Sequence, residues 1–259
     1  MALKPITGGV LVPACSPCDA GDRLLEREFA AMLEQGLKEQ LDGAYLCGGT
    51  GDGMKMRLEE RRAAAEIGVE LCHKHDKIAL VQVGASTMRD ALELAEHAAK
   101  SGADGVSSVP LPGCCHAQQM DYYRALVQAA GIPVILYYMP QPGVSFTLAN
   151  VLESLSIPGV TGVKSSTNDF FFTQQLMNEK PAGCVVFNGK DEYLAPAVIH
   201  GANGGIGMWA SVFPRAYAGI YRAAKAGEYE KAFGMQKTLN ALSTVAMRRG
   251  LLQSFACIL

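Results

Sequence analysis

At 259 residues, 49% hydrophobic and 19% charged, the chain can bury a large core as one globular unit, and a formal net charge of −2 without a basic block or stripe argues against nucleic acid or an anionic membrane surface as partner. No apolar run is long enough to span a bilayer, and Met1-Ala2-Leu3-Lys4-Pro5 is neither a signal peptide nor an evident transit peptide, so a cytoplasmic protein is expected. Eight cysteines in a chain of this size read as free thiols, since no export signal accompanies them and the core needs no staples.

Along the chain, short apolar runs alternate with amphipathic stretches at an interval of about 30 residues, the size of a βα unit. The strand candidates are Ile6 to Pro13, Ala44 to Gly48, Ile78 to Val83, Gly105 to Pro110, Val134 to Met139, Val160 to Lys164, Cys184 to Asn188 and Gly204 to Met208. Helical stretches follow them, such as Leu58 to His73 and Asp90 to Lys100, whose apolar residues recur on one face. Eight such pairs without a composition break predict an α/β fold, a closed (β/α)8 TIM barrel, over an open doubly wound sheet. Residues 1–226 form the barrel in this reading, and 227–259 a short C-terminal helical extension of the same unit, broken near Gly250.

Barrels of this kind carry their chemistry at the C-terminal ends of the strands, and the unusual residues collect there. Cys15-Ser16-Pro17-Cys18, after the first strand, has C-x-x-C spacing, but no second pair or nearby histidine completes a metal site, and small thiols beside the mouth are expected. After the second strand, Gly48-Gly49-Thr50-Gly51-Asp52-Gly53 can expose backbone N–H groups to a carboxylate, with the Thr50 hydroxyl beside them, although a tight βα turn uses glycine for geometry alone. Tyr137 and Tyr138 end the fifth strand, and because successive residues face opposite ways, one phenol can point inward.

The most informative residue is Lys164, in Gly159-Val160-Thr161-Gly162-Val163-Lys164-Ser165-Ser166. A lysine in a dry strand either snorkels to an edge or, its pKa lowered by burial, serves as an amine nucleophile. The seventh strand ends in Asn188-Gly189-Lys190-Asp191-Glu192, where the two acids could equally cap the next helix, and Gly204-Gly205-Ile206-Gly207 opens space at the mouth. An inward lysine, a neighbouring phenol and a carboxylate-sized nest make an amine-catalysis site.

Gly48 to Asp52, Tyr137-Tyr138-Met139-Pro140 and Gly162-Val163-Lys164 resemble, in order and spacing, the G-[ST]-T-G-E, Y-N-x-P and G-[IVL]-K motifs of the class I aldolases and lyases that include N-acetylneuraminate lyase and dihydrodipicolinate synthase. The resemblance runs from about Ile6 to about Leu252. It implies that Lys164 forms an imine with pyruvate, that Tyr137 shuttles the proton, and that Gly49 and Thr50 hold the pyruvate carboxylate, with no metal or cofactor. Gly189, Asp191 and Glu192 look like the lyase positions that bind sugar-acid hydroxyls; Ser166 takes the hydroxyl position two after the lysine, and Gly207 joins them as part of the open mouth. The partners implied are pyruvate and an aldehyde or 2-oxo sugar acid, in a homo-oligomer that the resemblance makes a tetramer.

The chain departs from that pattern at several points. Gly49 replaces a hydroxyl residue, Asp52 replaces the usual Glu, and Leu111-Pro112-Gly113 stands where the synthases carry an interface tyrosine. Gln141-Pro142-Gly143 replaces the synthases' arginine, and no arginine lies between Arg124 and Arg215, which argues against a semialdehyde carboxylate as substrate. Met208 stands where the sialic acid lyases have serine, and the final helical region is shorter by about one helix. The expectation is a lyase-like aldolase; the alternatives are a 2-keto-3-deoxy acid aldolase or dehydratase, a dihydrodipicolinate synthase-like enzyme, and a catalytically silent binder of 2-oxo acids.

Overall fold

Strands that read as nearly unbroken apolar runs belong in a sheet covered on both faces, which a barrel sheathed in helices provides. The computed structural model, which describes residues 3–140 and 146–250, has this form. Eight parallel strands close in sequence order: β1 Gly9–Pro13, β2 Gly43–Leu46, β3 Ile78–Gln82, β4 Gly105–Ser108, β5 Val134–Tyr138, β6 Val160–Ser165, β7 Val185–Asn188 and β8 Gly204–Gly205. The helices between and after them are α1 Glu26–Leu37, α2 Leu58–Lys74, α3 Met88–Lys100, α4 His116–Ala130, α5 Leu148–Leu155, α6 Phe170–Glu179, α7 Leu194–Ile199, α8 Pro214–Lys225 and α9 Tyr229–Arg248. All eight expected strands are present, with two corrections to their extent. The first begins at Gly9, not Ile6, and the eighth is only two residues long, because Gly207 opens a 3-10 turn over Met208–Ser211.

The core has two parts, divided by the strand period. One face of each strand points into the barrel, where Leu11, Tyr45, Leu80, Ile135, Tyr137, Val185, Phe187 and Ile206 fill the interior. The other face, including Val10, Leu46, Val81, Val106, Leu136, Val163 and Val186, packs against the helices. One irregularity decides the direction of Lys164. β5 and β6 pair Val134 with Val160 but Ile135 with Gly162, so Thr161 is an extra residue in β6. Val160 and Val163 therefore both face the helices, and Gly162 and Lys164 face the interior; a bulge resets the alternation as a one-residue slip would.

β8 closes the barrel because it carries no side chains. A Cβ on Gly204 would lie 1.9 Å from the Gly9 carbonyl oxygen, so the short strand can approach β1 only as glycine. α9, beyond the eighth unit, packs along α8, α7 and the turn after β7 through Ala232, Gln236, Leu239, Ser243 and Ala246. Among the described residues no helix is long and apolar enough to cross a membrane.

Two glycine replacements should move stability in opposite directions. Gly204→Ala forces the closing strands apart and should lower the urea midpoint by the equivalent of about 1–3 kcal/mol. Gly234→Ala, on an exposed turn of α9 where an added Cβ meets nothing within 4 Å, should raise it by roughly 0.5–1 kcal/mol. A neutral Gly204→Ala would contradict the close approach at the seam.

Candidate active site

Lys164 points up the barrel axis from β6 and is 4% exposed. Its Nζ lies 4.1 Å from the ring centroid of Tyr45 on β2 and 4.2 Å from that of Tyr137 on β5. The two rings stand at 88° to each other with centroids 6.0 Å apart, so the amine sits in a corner between aromatic faces. Burial lowers the pKa of Lys164 from its ordinary 10.5, while Tyr137 and Asp191 act against the shift. The Tyr45 hydroxyl donates to Ser107 Oγ at 3.1 Å, which ties that wall to β4.

Strand alternation separates the two tyrosines. Tyr137 belongs to the interior, its hydroxyl directed at Met139 Sδ at 3.6 Å, whereas Tyr138 faces outward and stacks on Phe172 with centroids 4.4 Å apart. Lys164 and Tyr137 are also direct partners in the sheet register. Tyr45, by contrast, was not among the residues expected from sequence. Its signal was there: it occupies an inward position two residues before Cys47 in an otherwise small apolar strand.

The glycine turn after β2 is a single 3-10 turn, Gly49–Gly51. Its own bonding begins with Asp52 N–H to the Gly49 carbonyl at 3.2 Å, which leaves the amides at its start free to face a ligand. Three of its glycines are required for space. A Cβ on Gly48 would fall 2.6 Å from the Tyr45 ring, on Gly51 2.5 Å from the Ala14 carbonyl oxygen, and on Gly53 1.9 Å from that of Cys47. Gly49 is different: an added Cβ meets only the Tyr137 hydroxyl, at 4.0 Å. Gly49 is exposed and Thr50 half-buried, so the turn opens on the mouth beside the phenol.

Across the mouth, Gly189 brings the β7 exit against Ser166 and the lysine stem. A Cβ there would lie 2.0 Å from Ser166 Oγ and 3.2 Å from Lys164 Cε. Asp191, 7% exposed, sits on the 3-10 turn Asp191–Tyr193. Its capping role differs from the expected one. The carboxylate does not serve the helix that follows; its Oδ2 and Oδ1 accept the amides of Met208 and Trp209 at 3.1 and 3.2 Å and tie the β7 exit to the β8 exit. Burial, followed by the neighbouring Glu192, pushes Asp191 up to about 7 against these two amides and Lys164. Gly207 is the space this bond requires, since a Cβ would lie 2.1 Å from Asp191 Oδ1. Glu192 follows on the same turn, half-buried, its carbonyl held by Asn240 Nδ2 at 3.1 Å.

Lys164, Tyr137, the Gly49-Thr50 turn, Ser166, Gly189, Asp191 and Gly207 thus come together at one mouth, with Glu192 at its edge. Cys15 and Cys18 stand as separate thiols: burial pushes Cys15 up to about 11, and the exposed Cys18 directs its Sγ to the Ser16 carbonyl at 3.4 Å. The segment Gln141-Pro142-Gly143 lies outside the described residues.

A family model, the dihydrodipicolinate synthetase family, matches residues 6–255. The chain belongs to that family. Among members of the dihydrodipicolinate synthetase family, it is 28% identical over 255 residues to an N-acetylneuraminate lyase of Escherichia coli strain SE11, covering 97% of this chain and 85% of the relative. The N-acetylneuraminate lyase of Fusobacterium nucleatum, solved with pyruvate, superposes with a TM-score of 0.88 at 25% identity over 96% of this chain and 85% of that one. CdNal from Clostridium difficile, solved with mannosamine, gives 0.89 at 24% identity over 96% and 86%.

Because burial holds Lys164 below 10.5, the folded protein binds that proton less tightly than the unfolded chain does, and this burden on stability fades as pH rises toward 10.5. Lys164→Met should therefore melt higher than the parent protein at pH 7, by about 2–4 °C per kcal/mol relieved. The gap should close toward pH 10.5. A gap that widened with pH would show that Lys164 is held charged.

Proposed function

We propose that the protein is a pyruvate-dependent class I aldolase that cleaves or forms a carbon–carbon bond of a 2-oxo sugar acid through an imine on Lys164, in the manner of an N-acetylneuraminate lyase. Membership of the family supports the coarser statement: the protein is a lyase. The observation that carries the finer one is the Lys164 amine, buried in the barrel mouth between the rings of Tyr45 and Tyr137.

The chemistry follows from that placement. A neutral amine attacks C2 of pyruvate, and with a proton from the Tyr137 hydroxyl the adduct loses water to give a protonated imine, whose positive charge lies between two aromatic faces that attract cations. The imine draws electrons from C3, so the Tyr137 oxygen takes a C3 proton and the resulting enamine adds to the aldehyde carbon; in cleavage the same electrons flow back as the bond breaks, and water hydrolyses the last imine to free the 2-oxo acid and Lys164. Tyr137 donates its proton to the oxygen of the former aldehyde in synthesis and takes it in cleavage. The pyruvate carboxylate fits the Gly49–Gly51 turn, where amides and the Thr50 hydroxyl supply donors. With glycine at position 49, the space beside the Tyr137 hydroxyl is left for a carboxylate oxygen or the substrate's own hydroxyl.

In this reading Ser166 and Glu192 meet hydroxyls of the second substrate, with Asp191 accepting through lone pairs that its two amide bonds leave free. One observation favours a second reading. Met208 offers no hydroxyl, and Asp191 is already engaged, so the grip on a long polyhydroxyl chain is reduced and a shorter 2-keto-3-deoxy acid would suit the same site.

Condensation of pyruvate with N-acetylmannosamine or a smaller sugar aldehyde should proceed, and condensation with aspartate semialdehyde should be negligible, since the chain has no arginine between Arg124 and Arg215 to pair a second carboxylate. Tyr137→Phe should lower turnover by about 10²-fold or more while the fold survives; Tyr138→Phe should stay within a few fold. Efficient dihydrodipicolinate formation in a coupled reductase assay would overturn the substrate reading. A dead Tyr138→Phe beside an active Tyr137→Phe would overturn the assignment of the phenol.

A further inference from the structure

Gln236 lies on α9, outside the barrel, and is 4% exposed. Its Nε2 donates to the main-chain carbonyl of Asp191 at 2.8 Å and to Asn240 Oδ1 at 2.8 Å, and its Oε1 accepts the amide of Ala195 at 2.9 Å. One turn on, Asn240 Nδ2 donates to the carbonyl of Glu192 at 3.1 Å. The 3-10 turn that carries these two acids and the six-residue α7 behind it have no side-chain cap of their own, and α9 supplies part of their main-chain bonding.

An apolar side chain at position 236 would serve the packing of α9, whose other buried positions are Ala232, Leu239, Ser243 and Ala246. A buried amide in that stripe is costly unless its bonds are made, and here both ends of it are used. The result is that Asp191 is fixed twice. α9 holds its main chain, and the amides of Met208 and Trp209 hold its carboxylate. Lys164 and Tyr137, on β6 and β5, receive no hydrogen bond from this network.

We propose that Gln236, with Asn240 as a second anchor, is a positioning residue for the aldehyde side of the site, so that the C-terminal helix sets how the second substrate is held without governing imine formation at Lys164. This rests on the reading of the site as an aldolase centre.

The test uses the full chain with Gln236→Ala, Asn240→Ala, Asp191→Ala and the Gln236→Ala/Asp191→Ala pair. Gln236→Ala should raise KM for the sugar aldehyde roughly five- to tenfold, with a smaller rise for Asn240→Ala, because each removes a side-chain hydrogen bond to a main-chain carbonyl of the turn. KM for pyruvate and the rate of borohydride-trapped imine should stay within about twofold, and Gln236→Ala should add little in the Asp191→Ala background. Equal rises in both KM values, or effects that multiply in the double variant, would overturn the proposal and leave Gln236 as a packing residue.

A readout independent of turnover keeps the two readings apart. Trp209, 2% exposed, is the chain's one tryptophan, and its amide is held by Asp191. Acrylamide quenching of its emission should rise at least about twofold in Gln236→Ala with far-ultraviolet dichroism unchanged, as expected when the turn loosens locally. Unchanged quenching would overturn the positioning role whatever the enzyme's reaction is, whereas failure of the parent protein to form an imine would overturn the aldolase reading alone. If Gln236→Ala does not fold, Asn240→Ala, at a half-buried position, carries the same comparison.

Discussion

An ammonium group that cannot reach water is the constraint around which this barrel is arranged. Lys164 sits at the centre of a closed parallel sheet, where its charged form is opposed by burial and supported only by two ring faces, a phenol and a more distant carboxylate. That set offsets the cost of burial only in part, so the amine is held below the ordinary lysine value, the direction an amine nucleophile needs. The same close packing restricts the lysine side chain. With Tyr45 anchored to Ser107, and with Gly189 allowing Ser166 against the lysine stem, the amine has little freedom to turn elsewhere.

The rest of the mouth is held by close approaches that glycine permits. Gly48 lies against Tyr45, Gly189 against Ser166, and Gly207 against Asp191, so each rim turn is located by contact with a functional side chain. Asp191 then joins neighbouring rim turns through the amides of Met208 and Trp209, and α9 holds the same residue from behind. A barrel whose eighth strand is only two residues long draws its rigidity at that seam from these ties as well as from sheet pairing. The positions divide in two: Lys164 and the rings beside it are built into β2, β5 and β6, whereas Ser166, Gly189, Asp191 and Glu192 stand on loops, the last two supported by a helix outside the barrel.

Much of this was legible in the residues. The eight βα units followed from periodicity, and the lysine, the phenol and the glycine turn followed from placing unusual residue types at strand ends. Three things were not. The bulge at Thr161 that turns Lys164 inward leaves no local mark in Val160-Thr161-Gly162-Val163, because both faces of the strand are apolar and either alternation reads equally well. The role of Asp191 depends on amides of Met208 and Trp209, which lie 17 and 18 residues away in sequence, so it was legible as a helix cap but not as a tie between loops. Nothing in the sequence sets Gln236 apart from the other polar residues of the C-terminal helical region, and only the packing of α9 shows that it faces inward.

The proposed imine rests on one property of Lys164: burial in the barrel lowers its pKa and favours the amine as a nucleophile. Trapping with pyruvate and borohydride across pH 6 to 10, read by peptide mass, measures this directly. One reduced pyruvyl group is expected on the peptide that contains Lys164, with a rate that levels off below the ordinary lysine value of 10.5. Labelling at Lys190 instead, or a rate that climbs as for a solvent-exposed lysine all the way to that value, would contradict it.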